Sequence, residues 1–503
     1  MKTMSAERVH KAEIHCFSQD GRHILLDVRQ SRVFGITPLE RDILAAPQGT
    51  PLEALLYELR KEHEAGKIER ALESLKGLGI IAFEPLPLSE VGEVLPSVIT
   101  DLELNIAQDC NLRCRYCIVE QGGFGARRYQ MSPEVGRQAV DFVLRESGEE
   151  ELCYLTFFGG EPMLNFGLIE DMVAYSLAQA ARHSKRMAYL IVTNGTLFDD
   201  DNIAFIKKHK IGVQVSLDGP PAVHDRLRPT ASGRGSYETI VAHLPQLLTD
   251  YAERVSIRAT VTRYNSAILE LLDHLTGLGV GRVGLNYVEG DGDDYALDLS
   301  AREQLKVGYT ELARRFLAGA PEGDFSAAGF FAHFMAHFCS GLKRRTYCGA
   351  GVRMLGVSAS GGLYPCPYLA EREDYRVGHV ATGVDRERLA RWRSYLDVDR
   401  KPLCQSCWAR YVCGGGCLSA AIKYGGTPHR PYEADCDLIR HLAQLIMWIY
   451  LELKEKHPDA FLQYLLQSPS SDMMAGRSIA NILRAMNLGV TRPPVPAGER
   501  SRG

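Results

Sequence analysis

Three cysteines, Cys110, Cys114 and Cys117, stand in the run Cys-Asn-Leu-Arg-Cys-Arg-Tyr-Cys, directly after a strand-like stretch at 102–107. Four more, Cys404, Cys407, Cys413 and Cys417, crowd a second short segment. Thiolates hold iron–sulfur clusters, and a three-cysteine loop can hold three irons of a cubane while leaving the fourth open to a small molecule. The chain has 13 cysteines and no apolar export segment at its start. Cytoplasmic thiols are kept reduced, so these cysteines read as metal ligands rather than disulfides, and the protein is expected to be cytoplasmic. The longest apolar run, 445–451, is too short to span a bilayer. A net charge of −4 favours neither nucleic acid nor an anionic membrane. The 503 residues, 45% of them hydrophobic, suffice for about three domains.

The elements that must position these cysteines change character along the chain. Residues 1–90 read as a separate module with short strands at 14–17, 24–28 and 32–35. Two helices follow, each with the same start: Thr37-Pro38-Leu39-Glu40 and Thr50-Pro51-Leu52-Glu53, an N-cap threonine, proline at the first helical position and glutamate three residues after the cap. A third helix at 68–78 ends at Gly79, before a strand at 80–83. This layout suggests a winged-helix-like module, joined to the rest by a linker at 85–96. From residue 100, apolar strands are expected at 102–107, 153–158, 188–193, 213–217, 255–261 and 283–287. Helices are expected between them at 133–145, 168–182, 200–208, 237–251 and 266–278. Six strands separated by helices imply a parallel sheet in an α/β fold, open or closed into a partial barrel, with ligands beyond the strand C-termini. Periodicity weakens after residue 300, returns in a helix at 438–455, and gives way to a Pro, Arg and Gly-rich tail at 490–503 that is expected to be disordered.

The polar motifs all fall on that edge. The cysteine loop follows the first strand, Gly159-Gly160-Glu161-Pro162 the second, Asn194-Gly195-Thr196 the third, and Ser216-Leu217-Asp218-Gly219-Pro220 closes the fourth. Any one of them reads plainly as a turn. Four together beside a cysteine triplet read as a site.

Cys-x3-Cys-x2-Cys with an aromatic residue, Tyr116, before the last cysteine resembles the radical S-adenosylmethionine (SAM) superfamily, over roughly residues 100–290. The resemblance implies a partial (β/α)6 TIM-type barrel. It also implies a [4Fe-4S] cluster on Cys110, Cys114 and Cys117, coordinated with S-adenosyl-L-methionine. Gly159, Gly160, Glu161 and Pro162 would contact the methionine amine, and Asn194 and Ser216 would line the ribose and carboxylate. The product of such chemistry is a 5′-deoxyadenosyl radical that abstracts hydrogen from substrate, with the protein positioning and shielding it.

Cys348, Gly361, Cys366, then Cys404-x2-Cys407-x5-Cys413-x3-Cys417 and Cys436 resemble the seven-cysteine SPASM extension of that superfamily, which holds two auxiliary [4Fe-4S] clusters. The resemblance gives Cys404, Cys407, Cys413 and Cys436 to the distal cluster and Cys348, Cys366 and Cys417 to the nearer one, whose fourth ligand is either Cys339 or absent. An open iron there would take a substrate thiolate. Cys-x2-Cys pairs also hold structural zinc, the competing reading. Anaerobic sulfatase maturases share the pattern but typically carry an aspartate after the cysteine matching Cys366, where this chain has Pro367 and Tyr368, a departure that argues against formylglycine formation.

The first 90 residues resemble in layout the leader-recognition modules of ribosomal peptide-modifying enzymes, which pair the leader with an exposed strand. A structural winged helix or a DNA-binding fold is the plainer alternative, and acidic residues in its helices argue against DNA. The chain is therefore expected to divide into this module (1–90), the radical SAM barrel (100–300), bridging helices (301–338), the SPASM domain (339–456) and C-terminal helices with a tail (457–503). The expected function is a peptide maturase that joins a substrate carbon to a cysteine sulfur as a thioether. Its partners would be a precursor peptide with a leader and an electron donor of flavodoxin or ferredoxin type, with no nucleic acid or membrane. Carbon–carbon cross-linking, decarboxylation and formylglycine formation are the alternatives within the class. An iron–sulfur electron carrier or a zinc-stabilised binding protein is the alternative outside it. His333 and His337 lie one helical turn apart among phenylalanines and read as packing. Cys16 and Cys153 read as buried small apolar residues. The run His224, Asp225, Arg226 and Arg228 either shapes the loop over SAM or makes local ion pairs.

Overall fold

The computed structural model describes residues 7–86, 98–125, 128–290, 294–322, 331 and 343–461. The disorder expected at 490–503, and Cys339, His333 and His337, lie outside the described residues. The chain forms two compact units. One is built from described residues within 1–89, 316–343 and 444–503, the other from those within 90–315 and 344–443.

In the first unit, β1 (Arg8–Lys11) is followed by an antiparallel meander of β2 (Ile14–Gln19), β3 (Arg22–Asp27) and β4 (Arg32–Ile36). Three helices follow: α1 (Pro38–Ala45), α2 (Leu52–Leu59) and α3 (Ala65–Gly77). Leu25, Ile43, Ile68, Leu75 and Ile80 form its core, and Cys16 packs against it half-buried. The two matching helix starts diverge. Thr37 builds the reciprocal box, its hydroxyl accepting from Glu40 N while Glu40 accepts from Thr37 N at 2.8 Å. The box expected at Thr50 does not form. Thr50 and Pro51 make a short strand, β5 (Thr50–Pro51), paired with β1, and α2 starts after Pro51 with no side-chain cap. Strand pairing with Val9 outcompetes the cap because it satisfies backbone groups that a cap would leave open. β6 (Ile81–Ala82) pairs with the other side of β1, a strand the sequence pattern did not reveal. Arg22 reaches Glu452 at 2.7 Å and also pairs with Glu455, tying the meander to the end of the helix Cys436–Lys456.

The second unit holds a ten-stranded sheet. Its first six strands, β7 (Asp101–Ala107), β8 (Leu152–Gly159), β9 (Arg186–Thr193), β10 (Gly212–Ser216), β11 (Val255–Val261) and β12 (Val283–Tyr287), pair side by side in sequence order, every pair parallel. The crossovers carry α4 (Pro133–Glu146), α5 (Phe166–Arg182), α6 (Asp200–Lys208), α7 (Pro221–Leu227), α8 (Tyr237–Leu248) and α9 (Ile268–Thr276). Helix α7 occupies a stretch expected as loop, its Pro221 at the first turn. Beyond β7 the sheet continues through β13 (Met354–Val357), parallel to β7, and then antiparallel through β14 (Gly362–Tyr364), β15 (Gly378–His379) and β16 (Gly383–Val384). These short strands give too little periodicity to be read from sequence.

Alternation separates the faces of the sheet. Leu102, Leu104, Cys153, Leu155, Phe157, Val255, Ile257 and Ala259 are fully buried on one face. The same strands turn Glu103, Asn105, Thr156, Phe158, Arg258 and Thr260 to the other, as the period of two requires. No helix among the described residues is long and apolar enough to cross a membrane.

Candidate active site

The cysteine loop leaves β7 and is held by backbone on both sides. The segment 227–230, at the end of α7, runs along it: Arg113 N donates to Pro229 O at 2.7 Å, Arg115 N to Leu227 O at 3.0 Å, and Leu112 bridges Thr230. Leu112 N and Gln121 N donate to the sulfurs of Cys110 (3.4 Å) and Cys117 (3.0 Å). Burial pushes the Cys114 thiol up to about 12, with the nearby Cys117 and Cys110 adding to it and Arg228 opposing. Burial and Glu161 push Cys110 up to about 11. Three crowded, half-buried thiols, two of them with amide donors on their sulfurs, suit a cationic iron cluster, whose charge would offset their repulsion.

The glycine loop after β8 is pressed onto the start of the cysteine loop. Gly160 N donates to Ala107 O and Glu161 N to Asp109 O, both at 2.8 Å. A Cβ on Gly160 would fall 2.1 Å from Asp109 O, and one on Gly159, at φ +129°, 2.5 Å from Ala107 O. Only glycines permit that approach. Glu161 is fully buried, and both its oxygens are engaged. Thr193 Oγ1 donates to Oε1 at 2.7 Å, Met163 N to Oε1 at 3.0 Å and Asn194 N to Oε2 at 2.7 Å. Burial raises its pKa to about 7 against those three hydrogen bonds. Glu161 therefore fixes the loop to the end of β9. Pro162 is buried at the start of a 3₁₀ turn, Pro162–Asn165. Asn194 Nδ2 donates to Asn111 Oδ1 at 2.8 Å and lies 3.8 Å from the Cys110 sulfur, joining β9 to the cysteine loop. Ser216 ends β10 half-buried, paired in register with Arg258.

Asp218, just past β10, stood in the sequence only as part of the turn motif closing the fourth strand, with no role of its own. It is fully buried and accepts from Tyr116 OH, from Arg228 at 2.8 and 3.2 Å and from Thr260 N at 2.8 Å. The guanidinium of Arg228 lies 5.3 Å from the Tyr116 ring centre. Tyr116 is thus held between Asp218 and Arg228. His224 Nδ1 accepts from Asp218 N at 3.2 Å, so its Nε2–H faces the Ser236 hydroxyl at 3.0 Å, and that hydroxyl donates to Arg228 O at 2.7 Å. Burial pushes His224 down to about 4. His224, Asp225 and Arg228 are the framework of the cysteine loop: Asp225 accepts from Ser236 N and Tyr237 N, while Arg226 lies over Tyr264.

The later cysteines divide into two groups in the same unit. Cys404, Cys407, Cys413 and Cys436 line one cavity of about 890 Å³, counting its open mouth, and Cys417 also contributes to its wall. Burial pushes Cys436 up to about 12, with Cys413, Cys404 and Cys407 adding to it. Cys366 is buried and raised further by Cys417 and Cys348, the second group. Between Cys413 and Cys417 run Gly414, Gly415 and Gly416, all left-handed at φ +77°, +91° and +75°. That turn sends adjacent cysteines to different groups, and a Cβ on Gly414 would fall 2.3 Å from Thr346 O. Lys401, 1% exposed, donates to Gly415 O at 2.9 Å and stands near cysteines of both groups. Among the described residues no three His, Cys, Asp or Glu side chains are grouped for a single metal ion. A cubane, with its sulfurs on separate irons, spaces its ligands more widely than one ion does.

Pro367 folds over the polar face of the sheet, where Asn105 Nδ2 donates to its carbonyl at 3.2 Å. Tyr368 stands edge-on to Phe158, its ring centre 5.5 Å away, and hydrogen-bonds Arg258. Burial raises Glu103 on β7 to about 7, with Arg258 opposing. The signal for these residues was a charged residue at an alternate position of an otherwise apolar strand.

Residues 104–294 match the model of the radical SAM superfamily. They are a radical SAM domain, and the chain that carries it is an enzyme. Over 337 residues it is 25% identical to the serine-type anaerobic sulfatase-maturating enzyme of Klebsiella aerogenes, an alignment covering 62% of this chain and 78% of that one. Over 383 residues it is 24% identical to the radical SAM cyclopropyl synthase TigE of Paramaledivibacter caminithermalis, covering 71% and 75%. Among solved structures, native anSMEcpe with bound AdoMet shares the fold, with a TM-score of 0.59 at 18% identity over 70% of this chain and 98% of that one. The radical SAM domain implies a [4Fe-4S] cluster with SAM.

Proposed function

We propose that this protein is a radical SAM peptide maturase that joins a carbon of a precursor peptide to a cysteine sulfur as a thioether. The six parallel strands would curve as a partial (β/α)6 barrel over residues 100–300. Residues 301–338 would bridge it to a SPASM domain at 339–456, followed by the C-terminal segment 457–503. When bound at Cys110, Cys114 and Cys117, the cluster and SAM supply a 5′-deoxyadenosyl radical that takes a hydrogen atom from substrate. Gly159 to Pro162 would receive the methionine end through backbone groups, with Asn194 and Ser216 beside it. Glu161 would hold the loop in place through Thr193, Met163 and Asn194. Tyr116, Asp218 and Arg228 keep the cysteine loop from shifting. The polar face carrying Glu103, Arg258 and Tyr368 would receive the substrate and exclude water.

The observation that carries this reading is the pair of later cysteine groups in the same unit as the cysteine loop, which supports two auxiliary [4Fe-4S] clusters. These would accept the surplus electron. Pro367 and Tyr368 supply no carboxylate next to Cys366, which favours sulfur bonding over formylglycine formation. A relative named as a serine-type anaerobic sulfatase-maturating enzyme supports a protein or peptide substrate. Residues 1–90 would bind the leader, and an electron donor of flavodoxin or ferredoxin type would work with the enzyme in the cytoplasm. The test is mass spectrometry of cysteine-containing precursor peptides incubated anaerobically with enzyme, SAM and reductant. A loss of two hydrogens with a sulfur-to-carbon link supports the reading. Formylglycine, decarboxylation or a carbon–carbon link would replace it.

A further inference from the structure

The group of Cys348, Cys366 and Cys417 has no fourth thiol beside it among the described residues, but a carboxylate is in contact with it. Glu289 lies two residues beyond β12. Its neighbours on the chain fix it there. Val288 N donates to Val261 O at 2.9 Å, and Gly290, at φ +110°, passes so close to Tyr424 that a Cβ would fall 2.8 Å from the ring. This holds Glu289 against the segment that begins at Cys417, and its carboxylate hydrogen-bonds the Cys417 thiol. Its second oxygen, Oε2, is sealed from solvent with no hydrogen-bond partner. A buried carboxylate oxygen without a donor is costly and is normally paired or bound to a metal.

We infer that Glu289 is the fourth protein ligand of the cluster held by Cys348, Cys366 and Cys417. The inference rests on the proposed function, which assigns a cluster to those three cysteines. It explains both the orphaned oxygen and the missing thiol. An oxygen ligand suits iron–sulfur iron less well than a thiolate does, so it leaves this iron more open to exchange with an incoming sulfur than a fourth cysteine would. Cys339 is the competing ligand, and experiment separates the two.

The test uses the full chain with Cys110, Cys114 and Cys117 replaced by alanine, which removes the radical-site cluster and its spectrum. After anaerobic reconstitution, iron and sulfide per chain are counted and electron paramagnetic resonance spectra are recorded in the oxidised and reduced states. With Glu289→Gln, the oxidised protein is expected to show a three-iron signal and to lose about one iron per chain. With Glu289→Cys the four-iron cluster should return, and Cys339→Ala should match the parent. A Glu289→Gln spectrum and iron count identical to the parent would overturn the inference, as would loss of that iron in Cys339→Ala. A parent holding well under roughly eight irons would overturn the cluster assignment itself, and this inference with it.

Discussion

Glu161 shows why a charged residue belongs in the most buried part of the site. Its two oxygens accept from Thr193, Met163 and Asn194, and Thr193 Oγ1 in turn accepts from Gly195 N at 3.0 Å. Glu161→Ala would leave three donors without an acceptor, at about 1–3 kcal/mol each where they stay buried. We expect SAM affinity of the reconstituted enzyme to fall at least about tenfold, as read by equilibrium dialysis, because the loop proposed to meet SAM would no longer be fixed. Unchanged affinity would separate the glutamate from the SAM site. His224 makes a different prediction. It is protonated in the unfolded chain below about 6.5 but in the folded one only below about 4. Stability should therefore fall as pH drops from about 6.5 towards 4, by about 3 kcal/mol for this group. In urea unfolding of the full chain, His224→Gln should lose less stability over that window than the wild type; parallel curves would show that His224 does not titrate with unfolding.

At the scale of elements, Thr37 and Thr50 carry the same sequence signature and do different things. Thr37 completes a capping box, whereas Thr50 enters a strand pairing with β1 and its hydroxyl donates to Pro47 O at 2.8 Å. Thr37→Ala should cost about 1 kcal/mol and Thr50→Ala less, measured by thermal unfolding of the full chain; equal losses would contradict the assignment. The pair also marks what was legible in the sequence. The six strands at 102–107 through 283–287 were readable because each is a run of buried apolar residues bounded by turn signals, and the observed strands match within two residues. Helix ends were less so: α8 stops at Leu248, short of the expected 251, and α9 begins at Ile268 rather than 266. The extension of the sheet through β13 to β16 was not legible, because strands of two to four residues owe their existence to a neighbour, β7, far away in sequence. The cysteine loop and the glycine loop were legible by spacing. Asp218, Glu103, Arg258 and Glu289 were not, since their roles arise from partners on other strands.

At the scale of the molecule, all the cysteines proposed as cluster ligands fall in one of the two units, while the N-terminal meander and helices fall in the other together with the end of the last helix. The proposed chemistry and the proposed leader recognition are thus assigned to separate units. The central claim concerns the first of them: that this unit carries radical SAM chemistry on iron–sulfur clusters. It is tested most directly by reconstituting the full chain anaerobically, adding SAM and dithionite, and measuring iron, zinc and 5′-deoxyadenosine in one sample. The account predicts roughly twelve irons per chain, in three clusters, and 5′-deoxyadenosine formed from SAM. Zinc in place of iron, with SAM left intact, would contradict it.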